Sequence, residues 1–210
     1  MQEVGMPEAE PIIIDLLRHG EVAAEGWAFR GSTDLPLSEN GWQQLRAVGA
    51  SLPKVDHIAT SPLQRCHLFA QELNIAQQSQ LVVLNDMREM DFGDWENKSF
   101  DELHKLNSAL LNKFWDSPVG IQPPGGEAFD VFALRVIDCW ETWVSADLGE
   151  HRLLVAHGGV IRVLLAHIMG MPMSALWRLH LPYASWSRVS LCKGHQPRVL
   201  FMNREPGCGI

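Results

Sequence analysis

The chain has 210 residues, enough for one ordinary domain with a sizeable core, and its 46% hydrophobic and 20% charged residues are those of a folded protein. A formal net charge of −8 excludes a general nucleic-acid binder, since no basic stripe neutralises a phosphate backbone, and an anionic ligand would need a local positive pocket. The cysteines Cys66, Cys139, Cys192 and Cys208 show no CxxC spacing, so neither a zinc site nor a disulfide framework is indicated. With no secretory leader and no bilayer-long apolar run, the expectation is a cytoplasmic protein without a membrane partner. Residues 1–10, polar and acidic with Pro7, are expected to form a loose leader before a single domain over 11–205. Residues 12–17 read as a continuously apolar strand buried on both faces. Ser38-Glu39-Asn40-Gly41 opens a helix over 42–52 that Pro53 stops, and 55–60 reads as a second strand. Pro62 starts a helix over 63–73, and 81–84 is a third strand. Residues 86–125, with Trp95, Phe100, Phe114, Trp115 and Pro123-Pro124-Gly125-Gly126, read as a helix-leaning insertion that covers the site end of the sheet. A helix from 127 to about 144, a strand over 151–156 and a helix over 160–169 follow; strands over 185–192 and 198–202 would make a terminal hairpin. Strands alternating with helices predict an α/β protein, a three-layer α/β/α sandwich with a mostly parallel sheet.

Four segments carry chemistry. Arg18-His19-Gly20-Glu21 follows the first strand and places an imidazole at a sheet's carboxyl edge, beside a guanidinium shaped to fork onto phosphate oxygens. Ser61-Pro62-Leu63-Gln64-Arg65 puts a strand end, a helix N-terminus and an arginine together, and such a terminus is itself an anion site. Val155-Ala156-His157-Gly158-Gly159 repeats the first design, with glycines that let backbone N–H groups approach a ligand and His157 as a further donor. Arg88-Glu89-Met90-Asp91 opens the insertion with carboxylates, one of which can protonate a leaving alkoxide.

These segments, together with Gly31 and Asp34-Leu35-Pro36-Leu37, resemble the histidine phosphatase superfamily, which has the phosphoglycerate-mutase-like fold. They run in family order from about residue 12 to 165. The resemblance implies a phosphohistidine mechanism with His19 as nucleophile, Arg18 and Arg65 as phosphate clamps, His157 as a phosphate and transition-state donor, and Glu89 as general acid. It implies no cofactor and no metal, because the two arginines and His157 surround the equatorial oxygens, and a small-molecule phosphate ester as partner. Phe29-Arg30-Gly31-Ser32-Thr33-Asp34, Phe92-Gly93-Asp94-Trp95-Glu96, Phe114-Trp115 and His157-Gly158-Gly159-Val160-Ile161-Arg162 resemble the α-ribazole phosphatases of cobalamin assembly. Phosphoglycerate mutase, or a broad-specificity or phosphoprotein phosphatase, is the alternative; the modest insertion favours hydrolysis.

Other residues read more plainly. Val22 and Glu25 depart from the pattern of many relatives and are left out of the site, Glu25 being expected to point away. Glu21 reads as a supporting neighbour of the nucleophile rather than an acid, and Arg162 as one half of an ion pair on its helix. Trp27, Phe29, Trp95 and Trp115 read as packing residues first. The other histidines share no motif.

Overall fold

The computed structural model describes residues 10–26, 28–204 and 206; the expected leader, Trp27 and Cys208 lie outside them, apart from Glu10 of the leader. Six strands and five helices follow in chain order: β1 (Ile12–Arg18), α1 (Glu39–Ser51), β2 (His57–Thr60), α2 (Gln64–Gln77), β3 (Gln80–Val83), α3 (Phe100–Asp116), α4 (Phe129–Ser145), β4 (His151–Ala156), α5 (Gly158–Ile168), β5 (Trp186–Leu191) and β6 (Arg198–Arg204). They build one sheet in the order β3-β2-β4-β1-β5-β6. The first four strands in that order are parallel, and β5 and β6 form the antiparallel terminal hairpin.

Side chains alternate across β1 and β4 with the period of two that a strand imposes. Ile14, Leu16, Leu154 and Ala156 enter a core shared with α4, α5 and the insertion. Leu17, Leu153 and Val155 enter a second core shared with α1 and α2. These two cores give the three layers expected. The strand is not apolar throughout, however. Asp15 is fully buried on the Leu17 face, where its carboxylate accepts from Trp186 Nε1 at 2.7 Å, from Arg188 Nε and Nη2 at 2.8 and 3.0 Å, and pairs with His151 Nε2 at 2.8 Å. Burial pushes this carboxyl upward, but the hydrogen bonds from His151, Arg188 and Trp186 outweigh it and hold the group below its ordinary range.

Helix ends differ from the sequence expectation where distant residues act as caps. Ser38 caps α1 locally, its Oγ accepting from Gly41 N at 2.9 Å. The first residue of α2 is Gln64, not residue 63, and Leu63 gives it no side-chain cap. Asp34 supplies that cap from another loop, accepting from Gln64 N at 2.8 Å. At the far end of α4, Arg152 donates to the carbonyls of Trp143, Val144, Ala146 and Gly149 at 2.8–3.3 Å.

The insertion contains short 3-10 turns at 85–87 and 93–95 and then α3, which kinks at Asn107. Asn107 restarts the helix by accepting from Leu110 N at 3.0 Å. Phe29, Trp95 and Phe114 are buried together, so the packing role expected of Phe29 and Trp95 is what the fold uses. No helix of the described residues is long and apolar enough to cross a membrane.

Candidate active site

The carboxyl ends of β1 and β4 lie side by side, Arg18 pairing with Ala156 in parallel register, so the residues that follow them share one edge of the sheet. There His19 N donates to Ala156 O at 2.9 Å and His19 O accepts from Ala184 N at 3.0 Å, which fixes the backbone from both sides. Gly20 then passes so close to α1 that a Cβ would lie 2.3 Å from Gly41 O. Only a glycine allows this turn, and the turn sets the direction of the His19 ring. Glu21 secures it from α1: its carboxylate accepts from Ser38 Oγ at 3.3 Å and from Asn40 Nδ2 at 2.5 Å. It supports the loop rather than the imidazole itself.

His19 Nδ1 lies 2.8 Å from Gly20 O. A carbonyl only accepts, so Nδ1 carries the proton and the lone pair resides on Nε2. Burial first, then the charges of Arg18 and Arg65, hold the His19 pKa well below its ordinary value and keep the ring neutral. The His157 ring is 5.3 Å away, centroid to centroid. Its Nδ1 accepts from Arg65 Nε at 3.2 Å, so its Nε2–H donates to Ser61 Oγ at 2.6 Å. Burial and then the Arg65 charge hold His157 neutral as well. Both its nitrogens are engaged, so a phosphoryl oxygen would replace Ser61 as acceptor of the Nε2 proton.

Arg18 and Arg65 flank this histidine pair. Arg65 Nη1 and Nη2 donate to Thr33 O and Gly31 O at 2.8 and 2.7 Å. Arg18 Nη1 donates to Leu181 O at 2.5 Å, while its buried Nε has no acceptor among the described residues. A buried guanidinium donor left unpaired calls for an acceptor from a ligand. The Tyr183 ring stacks 4.4 Å from Arg18 Cζ and 5.6 Å from the His19 ring.

Glu89 is buried at the start of the insertion. Its Oε2 accepts from Gly159 N at 2.9 Å and its Oε1 from Met90 N at 3.1 Å. At the N-termini of α2 and α5 one N–H each, that of Gln64 and that of Gly159, donates to a carboxylate of the chain itself, Asp34 and Glu89 respectively.

The ion pair expected of Arg162 is absent among the described residues. Its Nε donates instead to Leu179 O at 2.9 Å, and its Cζ stacks 5.6 Å from the Trp177 ring. Arg162 Nη1 and Arg18 Nε both lie within 3.3 Å of the point a Cβ on Gly158 would occupy, so a third cation stands at the site. Burial lowers its pKa to about 10. Glu25 is exposed and Val22 is buried in a bridge to Leu37, in keeping with their exclusion.

The sequence model of the histidine phosphatase superfamily (branch 1) matches residues 14–205. The chain belongs to the histidine phosphatase superfamily. Among its relatives in the superfamily is a bifunctional protein of Mycobacterium tuberculosis, 34% identical over 181 residues, which are 84% of this chain and 50% of that protein. The chain thus spans about half the length of the first curated relatives it matches. An adenosylcobalamin/alpha-ribazole phosphatase of Salmonella typhimurium is 27% identical over 182 residues, 85% of this chain and 90% of that one. The alpha-ribazole phosphatase of Shigella flexneri has the same histidine phosphatase fold, with a TM-score of 0.82 at 25% identity over 92% of this chain and 96% of that one.

The structure brings Arg18, His19, Arg65, Glu89 and His157 to one edge of the sheet. Ser61, which accepts from His157 Nε2, and Tyr183, which covers Arg18, were not singled out as site residues. Ser61 had a local signal, the strand end before Pro62. Tyr183 had none, being brought in by the approach to β5 from far along the chain.

Proposed function

We propose that this chain is a metal-independent phosphomonoester hydrolase that works through a phosphohistidine on His19. The observation that carries the reading is the pairing of a neutral, buried His19, its lone pair on Nε2, with an Arg18 Nε that has no acceptor among the described residues. A phosphate monoester brings about two negative charges, and Arg18 and Arg65 match them while the nucleophile attacks in line. His19 Nε2 forms the N–P bond as the P–O bond to the alcohol breaks. Glu89 gives its proton to the departing alkoxide. Glu89 then takes a proton from water, the hydroxide attacks phosphorus, the N–P bond breaks, and inorganic phosphate leaves. The bond from Nδ1–H to Gly20 O favours the positive ring that exists while Nε2 holds phosphorus.

For substrate we infer α-ribazole 5′-phosphate or its cobamide-linked form, and for location the cytoplasm, in keeping with cysteines that show no disulfide framework. Support comes from the relative named for this activity and from the half-buried Trp115 and Trp177, whose rings lie 4.9 Å apart beside Arg162, where a flat apolar base can rest. The test is a panel of phosphate esters that includes α-ribazole phosphate and 3-phosphoglycerate, run with and without chelator. Hydrolysis with chelator present and preference for the ribazole ester are expected. Isomerisation faster than phosphate release would overturn the hydrolase assignment, and equal rates on all esters would remove the ribazole assignment. Acid-labile phosphate should label the wild type and not His19→Ala. Arg65→Ala should lower turnover by roughly 10²–10³.

A further inference from the structure

Glu96 lies at the end of the 3-10 turn in the insertion and is half-buried, close to the site without being placed in it. Its carboxylate is unusually well satisfied. Oε1 accepts from Ser32 N at 2.8 Å and from Gly31 N and Phe92 N at 3.1 Å. Oε2 accepts from Thr33 N at 3.2 Å and from Thr33 Oγ1 at 2.6 Å. Three consecutive N–H groups, those of residues 31–33, thus converge on one anion. Such a concave run of amides is the usual cradle for a phosphate, and here a side chain of the protein fills it.

The same three residues turn their carbonyls the other way. Gly31 O and Thr33 O accept from Arg65 Nη2 and Nη1, and these two bonds set the plane of the guanidinium. Asp34, the next residue, holds the N-terminus of α2, the helix that carries Arg65. Residues 31–34 are therefore a short rigid link, gripped by Glu96 on its N–H side and gripping Arg65 and its helix on the other. Gly31 belongs to the same design: a Cβ there would lie 1.8 Å from Met90 O and 2.5 Å from Glu96 Oε1.

We propose that Glu96 is a positioning residue for Arg65, so that the insertion aims the phosphate clamp through the 31–33 loop. This rests on reading Arg65 as a clamp for the transferred phosphate. An amide at position 96 would present N–H to N–H at part of the cradle, and the loop would lose the anion that orders it. A carboxylate holding the loop only for stability would lower stability without a specific debt to Arg65. The two roles therefore separate in a double-mutant cycle.

The experiment measures kcat/KM on p-nitrophenyl phosphate, and binding of inorganic phosphate by calorimetry, for wild type, Glu96→Gln, Arg65→Ala and the double variant. Glu96→Gln should lower kcat/KM and phosphate affinity by about tenfold in the wild-type background and by less than about twofold when Arg65 is already alanine. Thr33→Val, which removes the hydroxyl bond to Oε2 and an exposed 3.2 Å bond from Asn97 Nδ2, should move both quantities the same way by a smaller factor, and serves if Glu96→Gln does not fold. An equal loss in both backgrounds, or unchanged phosphate affinity in Glu96→Gln and Thr33→Val, overturns the proposal. A wild type that binds phosphate but hydrolyses no ester overturns the phosphatase reading instead; the cycle in phosphate affinity then decides the role of Glu96 by itself.

Discussion

Gly20 shows how little space separates the loop after His19 from α1. A methyl group there would meet the backbone oxygen of Gly41 at 2.3 Å, and neither backbone can yield without moving the loop that holds His19. Gly20→Ala is expected to lower kcat/KM by about 10²-fold, because a shift near 1 Å suffices for that, and to lower the unfolding temperature too. Gln43→Ala, on the exposed side of the same helix, should be far milder, and comparing the two by steady-state kinetics and thermal unfolding checks the argument. Residues of this kind were legible in the sequence because their signal is local. His19 and His157 each follow an apolar strand and precede glycine, Arg18 ends the first of those strands, and Arg65 follows a strand end and Pro62. Asp34, Glu96, Ser61 and Tyr183 were not legible in their roles. Each acts on a residue about 30 or more positions away or through a ring contact, and no local spacing encodes such a partner. The Asp15 carboxylate was invisible for the same reason, its partners lying on β4 and β5.

At the scale of elements, α4 shows what a distant cap does. Its last turn has no basic residue of its own, and the buried Arg152 satisfies four carbonyls at and beyond its end. Arg152→Met keeps apolar volume but leaves those acceptors without their donor, at a cost of about 2–4 kcal/mol. For a protein of this size that corresponds to a fall of about 5–15 °C in unfolding temperature, measurable by circular dichroism. Arg152 stands at the start of β4 and His157 just past its end, so the folded fraction should retain its specific activity. Element types were read well from periodicity, and the ends less well, since α2 and α5 begin where carboxylates from other segments cap them. The helix expected over 63–73 runs on to Gln77 because nothing stops it before Gln78, which takes a left-handed conformation at φ 55°.

For the whole molecule, the buried histidines and Asp15 set the response to acid. His19 and His157 are held well below the ordinary 6.5, so the folded state stays unprotonated where the unfolded chain already binds protons. Their stabilisation is present above pH 6.5 and is lost as pH falls from there toward their folded values. Asp15 is shifted down as well, so its contribution is lost in a lower window, as pH falls through the ordinary carboxylate range to its folded value. Denaturant unfolding between pH 7.5 and 4 should therefore show stability decreasing below about pH 6.5, with a shallower slope in His157→Asn. Hydrolysis should keep its nucleophile active below pH 6.5, since His19 remains neutral there. A rate that collapses with an apparent pKa of 6.5 would contradict the burial of this ring.

The strand that leads into His19 lies far along the chain from both of its neighbours in the sheet, β4 at His151–Ala156 and β5 at Trp186–Leu191. Without them, Asp15 has none of its hydrogen-bond partners and β1 no strand to pair with. The setting of the His19 imidazole thus closes only through contacts between residues 136 to 173 positions apart. Slow closure of these long-range contacts is expected of such a topology. The consequence concerns fragments: one ending before β5 keeps Arg18 and His19 but not the register that Asp15 and Arg188 lock together.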